Sequence, residues 1–263
     1  MSGIRFKGWA GKTAIKLAIP VMIMLIWQVL AMSINNQFIL PRIESVLAVL
    51  ITPNKDILGS GALIDNALVS LKRVTIGFLV ATAMAIPLGV VMGRFGLVHD
   101  LFDSMVAVFR PVPPLAWVPL ALAWLKIGIG SMVFIIAIGA FFPILLNTLD
   151  GVSGVKKTWL EAITMLGASE KDLMFRVILP GAAPTIWTGL RVGFGIAWMC
   201  VVAAEMLPGA NTGLGYLIMY AYSWGQVQVV IAGMIAIGII GLCIDCVFKE
   251  VEDRKFSWRR LER

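Results

Sequence analysis

Six apolar runs constrain this chain more than any other feature of it: residues 17–34, 68–92, a proline-rich stretch that ends at Leu125, 132–149, 186–207 and 227–248. A hydrocarbon core of about 30 Å takes roughly 20 residues of helix. Inside it no water is present to satisfy a backbone N–H or C=O, so each run must satisfy its own by forming a helix. The expected fold class is therefore an all-α membrane protein with about six transmembrane helices. A mean hydropathy of +0.91 with 14% charged residues argues against an ordinary soluble domain. One membrane domain over 1–263 is the simplest division, with tails at 1–16 and 249–263 around a membrane part at 17–248.

The first run follows Arg5, Lys7, Lys12 and Lys16 and competes with a cleavable signal peptide, for which Ala31-Met32-Ser33 is a weak small-residue site. Its length and the runs that follow favour a retained helix. Six spans put both termini on one side. If that side is the cytoplasm, 15 Lys and Arg lie in its loops and tails against 5 opposite, the bias expected of cytoplasmic segments. The net charge of +7 is thus matched to anionic lipid rather than to nucleic acid. Cys200, Cys243 and Cys246 all sit in apolar sequence and offer no disulfide framework. The Cys243-x-x-Cys246 spacing suits packing better than metal, and the single histidine, His99, suits a solvated loop.

Three places interrupt the apolar pattern. Residues 35–66 form a long polar connection with room for a short amphipathic helix. Arg110-Pro-Val-Pro-Pro-Leu-Ala-Trp-Val-Pro119 places four prolines at the head of a span, where a helix break survives only against protein or a water-filled path. Arg110, Pro113 and Pro114 are therefore candidate pathway residues, although a turn outside the hydrocarbon fits the same letters. Arg191 and Glu205 are ionisable groups within the fifth run. Such groups are costly in lipid and usually face protein or water, though each of these lies near a span end.

The third interruption is 151–185. Thr158-x-x-Glu161 and Ser169-x-x-Asp172 match the N-terminal capping pattern, so two short helices are expected, at 159–166 and from 170 towards 179. Gly167 separates them, as glycine tolerates the left-handed conformation that ends a helix. Pro180 and Pro184 should end the second helix before apolar sequence resumes at Ile186. Leu160, Ile163 and Leu166 recur at helical spacing beside Lys156, Lys157 and Glu161, an amphipathic pattern suited to docking a soluble partner or to an ordinary half-buried loop. No catalytic motif accompanies it. Gly11-Lys12-Thr13 ends like a phosphate-binding loop, but Phe6 stands where that loop needs glycine. A pump of this sequence would draw its energy from an ion gradient or from another subunit.

The 151–185 loop resembles the signature of permease subunits in binding-protein-dependent ABC importers: Glu-Ala-Ala, three residues, Gly, nine residues, Ile-x-Leu-Pro. Here it reads Glu161-Ala162-Ile163, Gly167, Val177-x-Leu179-Pro180, with matching spacing and two apolar replacements, Ile163 and Val177. The 110–119 stretch, Phe141-Phe-Pro-Ile-Leu-Leu-Asn-Thr, and Ala204-Glu205 followed by Gly213-Leu-Gly-Tyr are similar to the nitrate, sulfonate, taurine and bicarbonate branch. The resemblance implies a type I ABC importer permease fold with a cytoplasmic coupling-helix pair. It also implies a second permease subunit as a homodimer, two cytoplasmic ATPase subunits that use ATP and Mg, and an external substrate-binding protein. This chain would bind no cofactor or metal itself. A gradient-driven transporter or channel working alone is the competing function, motivated by the prolines and intramembrane charges; a scaffold that recruits a cytoplasmic protein is the third.

Overall fold

The computed structural model describes residues 4–57 and 59–256, with side chains from residue 18 onward. The basic side chains before residue 17, the 11–13 motif and the arginines after residue 257 lie outside the described residues. The described chain is almost wholly helical: α1 (Ile4–Ile34), α2 (Ile43–Ile51), α3 (Leu63–Arg94), α4 (Gly96–Phe109), a 3-10 turn (Pro114–Trp117), α5 (Val118–Leu125), α6 (Ile129–Ser153), α7 (Lys157–Met165), α8 (Glu170–Asp172), a π turn (Leu173–Ile178), α9 (Leu179–Glu205), α10 (Leu214–Ser223) and α11 (Val227–Lys255).

Among the described residues, four stretches are long and apolar enough to cross a membrane: Leu63–Arg94, Ile129–Ser153, Glu170–Glu205 and Val227–Lys255. Together, α4 and the Pro114–Leu125 segment make a fifth unit, bent by 88° at its break. The expected first run lies in α1 as a shorter apolar stretch, Ala18–Ile34, so each expected run is helical. Both terminal helices run on into the expected tails. α1 begins at Ile4, with no proline before Pro20. α11 continues to Lys255 through polar sequence that an Arg254–Glu250 pair at 2.6 Å supports one turn apart.

The body is three packed helices, α3, α6 and α9. Val74, Ala81 and Ala85 of α3 meet Ile135, Ile136, Ile144 and Leu145 of α6 and Ala197 and Val201 of α9 in one buried cluster. Gly89 and Gly93, four residues apart, let α3 approach closely. A Cβ at Gly89 would stand 2.8 Å from the Cβ of Thr148, and one at Gly93 2.7 Å from that of Val152. α2 is the short amphipathic helix of the 35–66 connection and packs on α11. α1 is fastened to it by polar groups: Trp27 Nε1 donates to the Pro41 carbonyl at 3.0 Å, and Gln28 Nε2 to Glu44 at 2.7 Å.

The fifth span departs from expectation at its start. Pro180 occupies the first turn of α9 and Pro184 lies inside it, so no turn separates 170–179 from the span. The π turn at Leu173–Ile178 explains this. A proline ring clashes with the carbonyl four residues earlier, and the wider π turn carries the Arg176 carbonyl that would face Pro180. Thr188 Oγ1 then donates to the Pro184 carbonyl at 3.0 Å, satisfying an acceptor inside the proline-bearing turns.

Candidate functional site

One end of the bundle carries the 151–185 loop. Ser169 caps α8 in full: its Oγ accepts from the Asp172 N–H, and the Asp172 carboxylate accepts from the Ser169 backbone. The pattern expected at Thr158 is not used. α7 begins at Lys157 with Lys156 as its cap residue, and Thr158 lies within the first turn. Lys156 instead places its ammonium over the Trp159 ring, 5.1 Å from the centroid.

Ile163 and Leu160 face inward, onto a second apolar cluster of Val152, Val155, Val177, Ile178 and Ala182. Val177, where the signature has isoleucine, is buried there, and Ile163, where it has alanine, adds apolar bulk to the same cluster. Leu179 is half-buried, while Glu161, Ala162 and Pro180 are exposed. Leu166 reverses its expected side. It lies beyond the last turn of α7 and is 85% exposed, next to Met165 at 88%. Gly167 has φ of +81° and empty space around it, so it is backbone conformation rather than crowding that demands glycine there. Arg94, at the end of α3, donates to Glu170 at 2.6 Å. A cavity of about 410 Å³ opens between that pair and α7, lined by Leu160, Glu161, Thr164 and Met165.

The other end of the bundle is a closed polar knot. The Glu205 carboxylate, at the last turn of α9, accepts from Arg73 Nη1 at 2.8 Å, Ser70 Oγ at 2.7 Å and the Gly215 N–H at 3.1 Å. Arg73 also donates to the Thr212 carbonyl at 2.5 Å and its Oγ1 at 2.9 Å. Asn66 Oδ1 accepts from the Gly213 N–H at 2.7 Å and Ser70 Oγ from that of Leu214 at 2.9 Å. Gly213 has φ of +114°, and a Cβ there would collide with the Glu205 carboxylate. The 206–213 loop and the start of α10 are thereby stitched to α3 and α9. Arg73 and Ser70 escaped sequence reading. Arg73 resembles an interfacial snorkelling residue until its partner, 132 positions away, is known.

Arg191 is also occupied. Its guanidinium grips Asp245 of α11 with two bonds, Nε to Oδ1 at 2.6 Å and Nη2 to Oδ2 at 2.8 Å, with Glu252 at 3.6 Å. Arg110 and Pro113 are exposed at the break between α4 and α5, and Pro114 opens the 3-10 turn that follows. Beside the break lies an apolar cavity of about 590 Å³ lined by Met84, Phe102, Phe109, Trp117, Phe134 and Phe141, among others.

Residues 85–256 match the family model described as the binding-protein-dependent transport system inner membrane component. The chain belongs to this family of ABC importer permeases. The permease is 54% identical over 259 residues to a Methanocaldococcus jannaschii protein that bears no more specific name than ABC transporter permease protein, covering 98% of this chain and 97% of that one. It is 34% identical to the taurine transport system permease protein of Escherichia coli, covering 91% of this chain and 87% of that one. Against the nitrate import permease protein of a Synechocystis strain it is 39% identical, over 67% of this chain and 64% of that one. Among solved structures, a chain of the inward-facing MetNI methionine ABC transporter aligns with a TM-score of 0.58 at 17% identity. It covers 72% of the permease and 95% of that chain, and its likeness is one of fold. The permease is thus a multi-pass membrane protein of the type I importer fold, in the nitrate, sulfonate and taurine branch.

Proposed function

We propose that this permease forms the translocation pathway of an ATP-driven importer by alternating access, as one of two identical membrane subunits. Two cytoplasmic ATPase subunits consume ATP and Mg, and an extracytoplasmic binding protein delivers the solute. The solute is a small oxyanion, either of the kind named for its relatives, nitrate, taurine or another sulfonate, or bicarbonate. The loop end and both termini face the cytoplasm in this reading, which the excess of Lys and Arg in the sequence of that loop and the tails supports.

The observation that carries the coupling role is the tip of the loop. Met165 and Leu166 are 88% and 85% exposed, beside exposed Glu161 and Ala162, while Leu160, Ile163 and Val177 anchor the same element inward. Two large apolar side chains held out on an anchored element are suited to filling a partner's groove. Glu161, Ala162 and Gly167 form the docking side of that element. Ile163, Val177, Leu179 and Pro180 form its mounting on α9, through which closure of the ATPases reaches the membrane.

The test is a cysteine crosslink from position 164, next to the tip, to the groove of the partner ATPase in the assembled complex, with and without ATP. A crosslink whose yield changes with nucleotide is expected. Absence of any crosslink from 164, 165 and 166 in correctly inserted complex would overturn the coupling role. Flux under an ion gradient without ATP would then be the next measurement, because the broken α4–α5 span also suits a gradient-driven transporter.

A further inference from the structure

Three of the arginines on the membrane helices are already neutralised: Arg73 by Glu205, Arg94 by Glu170 and Arg191 by Asp245. Arg110 differs. Among the described residues it is the arginine with no side-chain hydrogen bond or ion pair, and it is exposed on the single chain. Its backbone closes the last turn of α4, donating to the Val106 carbonyl at 2.9 Å, immediately before the span bends by 88°. The polar boundary of α4 is behind it. Asp100 and Asp103 are exposed on the first two turns, and Arg110 lies seven residues past Asp103, about 10 Å further along the helix axis. The Pro114–Leu125 segment still follows before Lys126. A cation placed between the two polar boundaries of a span is costly against lipid and by default faces protein, water or an anionic ligand.

The packing beside the break is apolar. Trp117, in the turn after Pro114, has its indole Nε1 shut off from solvent with no hydrogen-bond partner, its ring 5.7 Å from that of Phe109, which directly precedes Arg110. Such a buried donor is rare, because a buried hydrogen bond left unmade is costly. The guanidinium of Arg110 is a free donor at this break, and what it lacks is a ligand that accepts. A nitrate or sulfonate group is such a ligand.

We infer that Arg110 is the anion-recognition residue of the translocation path, its guanidinium at the α4–α5 break holding an oxyanion solute as it crosses. This rests on the reading of the chain as an importer permease for such solutes. Arg191 and Glu205 are excluded from the same task, since Asp245 and Arg73 already hold them.

The experiment uses the assembled complex in vesicles, with Cys200, Cys243 and Cys246 replaced and Val112→Cys introduced two residues from Arg110. Reaction with an anionic and a cationic methanethiosulfonate reagent of similar size is compared. The anionic reagent should react faster by about tenfold or more, as a local positive field concentrates anions, and Arg110→Gln should erase that preference. No reaction with either reagent would put the break in lipid and overturn the inference; so would an anion preference that Arg110→Gln leaves unchanged. Uptake separates this inference from the functional reading beneath it. If the unmodified complex imports none of taurine, nitrate or methanesulfonate with ATP, the oxyanion reading fails whatever the reagents show. If it imports one of them, Arg110→Gln should cut the rate by at least about tenfold and Arg110→Lys should restore part of it. Equal uptake by the Gln variant overturns the role of Arg110.

Discussion

The two ends of the α3–α6–α9 body each hold an Arg–Glu pair, Arg73 of α3 with Glu205 of α9 and Arg94 of α3 with Glu170 of α8, and the two pairs live in opposite surroundings. Arg73 and Glu205 have 12% and 0% of their side chains exposed, and the carboxylate is met from three sides. Arg94 and Glu170 bond at 2.6 Å, shorter still, with 32% and 78% exposed. Distance alone would rank the second pair above the first. Burial reverses the order, because removing one partner of a buried pair strands a charge that water cannot reach, whereas an exposed pair competes with water throughout. The knot end is built to stay as it is. The loop end is built to be met by something else, with apolar side chains outside and its charges wet.

That contrast predicts where stability and coupling separate. Glu205→Ala strands Arg73 and frees Ser70 and the Gly215 N–H, so it should destabilise the protein by about 3–5 kcal/mol, read as earlier thermal unfolding in detergent. Removing Arg73 as well should recover part of that loss, since the stranded charge goes with it. Glu205→Ala that melts like the parent would break the comparison by showing the knot to be dispensable.

Gly167→Ala tests the opposite end. At φ of +81° an alanine costs about 1–2 kcal/mol locally, yet its Cβ meets nothing within 4 Å, so strain rather than collision is introduced. The junction between α7 and α8 should relax to another conformation and carry Met165 and Leu166 with it. ATP-driven uptake should fall strongly while the melting of the membrane body stays near that of the parent. A melting loss as large as that of Glu205→Ala would mean the loop is part of the packed body, and the contrast would fail.

The two ends also differ in how much of them the letters disclosed. The Ser169–Asp172 cap was readable because both partners lie within one turn and the chemistry is local. The same pattern at Thr158 misled, since the chain entering α7 has Lys156 stacked on Trp159 and starts its helix two residues too early for Thr158 to cap. Leu166 fits the inward stripe by spacing, but spacing counts only while the helix continues, and α7 stops at Met165. Pro180 and Pro184 read as a stop because their letters do not reveal the π turn that accommodates them. The apolar runs were readable, since bilayer thickness acts on each separately, but the first half of the bent span was not: its sequence is more polar, and His99, read as a loop residue, lies inside α4. At the knot, Glu205 stood out as a charge in a span, while Asn66, Ser70 and Arg73 did not. Their roles come from α3 packing on α9, a long-range fact that no local pattern contains.

The smallest expected effect is the sharpest test of the contrast, since it concerns the shortest Arg–Glu bond of the two. A double-mutant cycle of Arg94→Ala and Glu170→Ala should yield an interaction energy of at most about 1 kcal/mol, because Glu170 is 78% exposed and both side chains give up freedom to meet. The same cycle at Arg73 and Glu205 should yield several times more. Added salt should separate them further, shrinking the Arg94–Glu170 term by screening while leaving the buried one nearly unchanged. If the exposed pair instead matched the buried one, the 2.6 Å bond would have to be shielded in the membrane or by a neighbouring subunit. The loop end would then be closed against solvent even without the ATPase, contrary to the open surface that its exposed apolar tip describes.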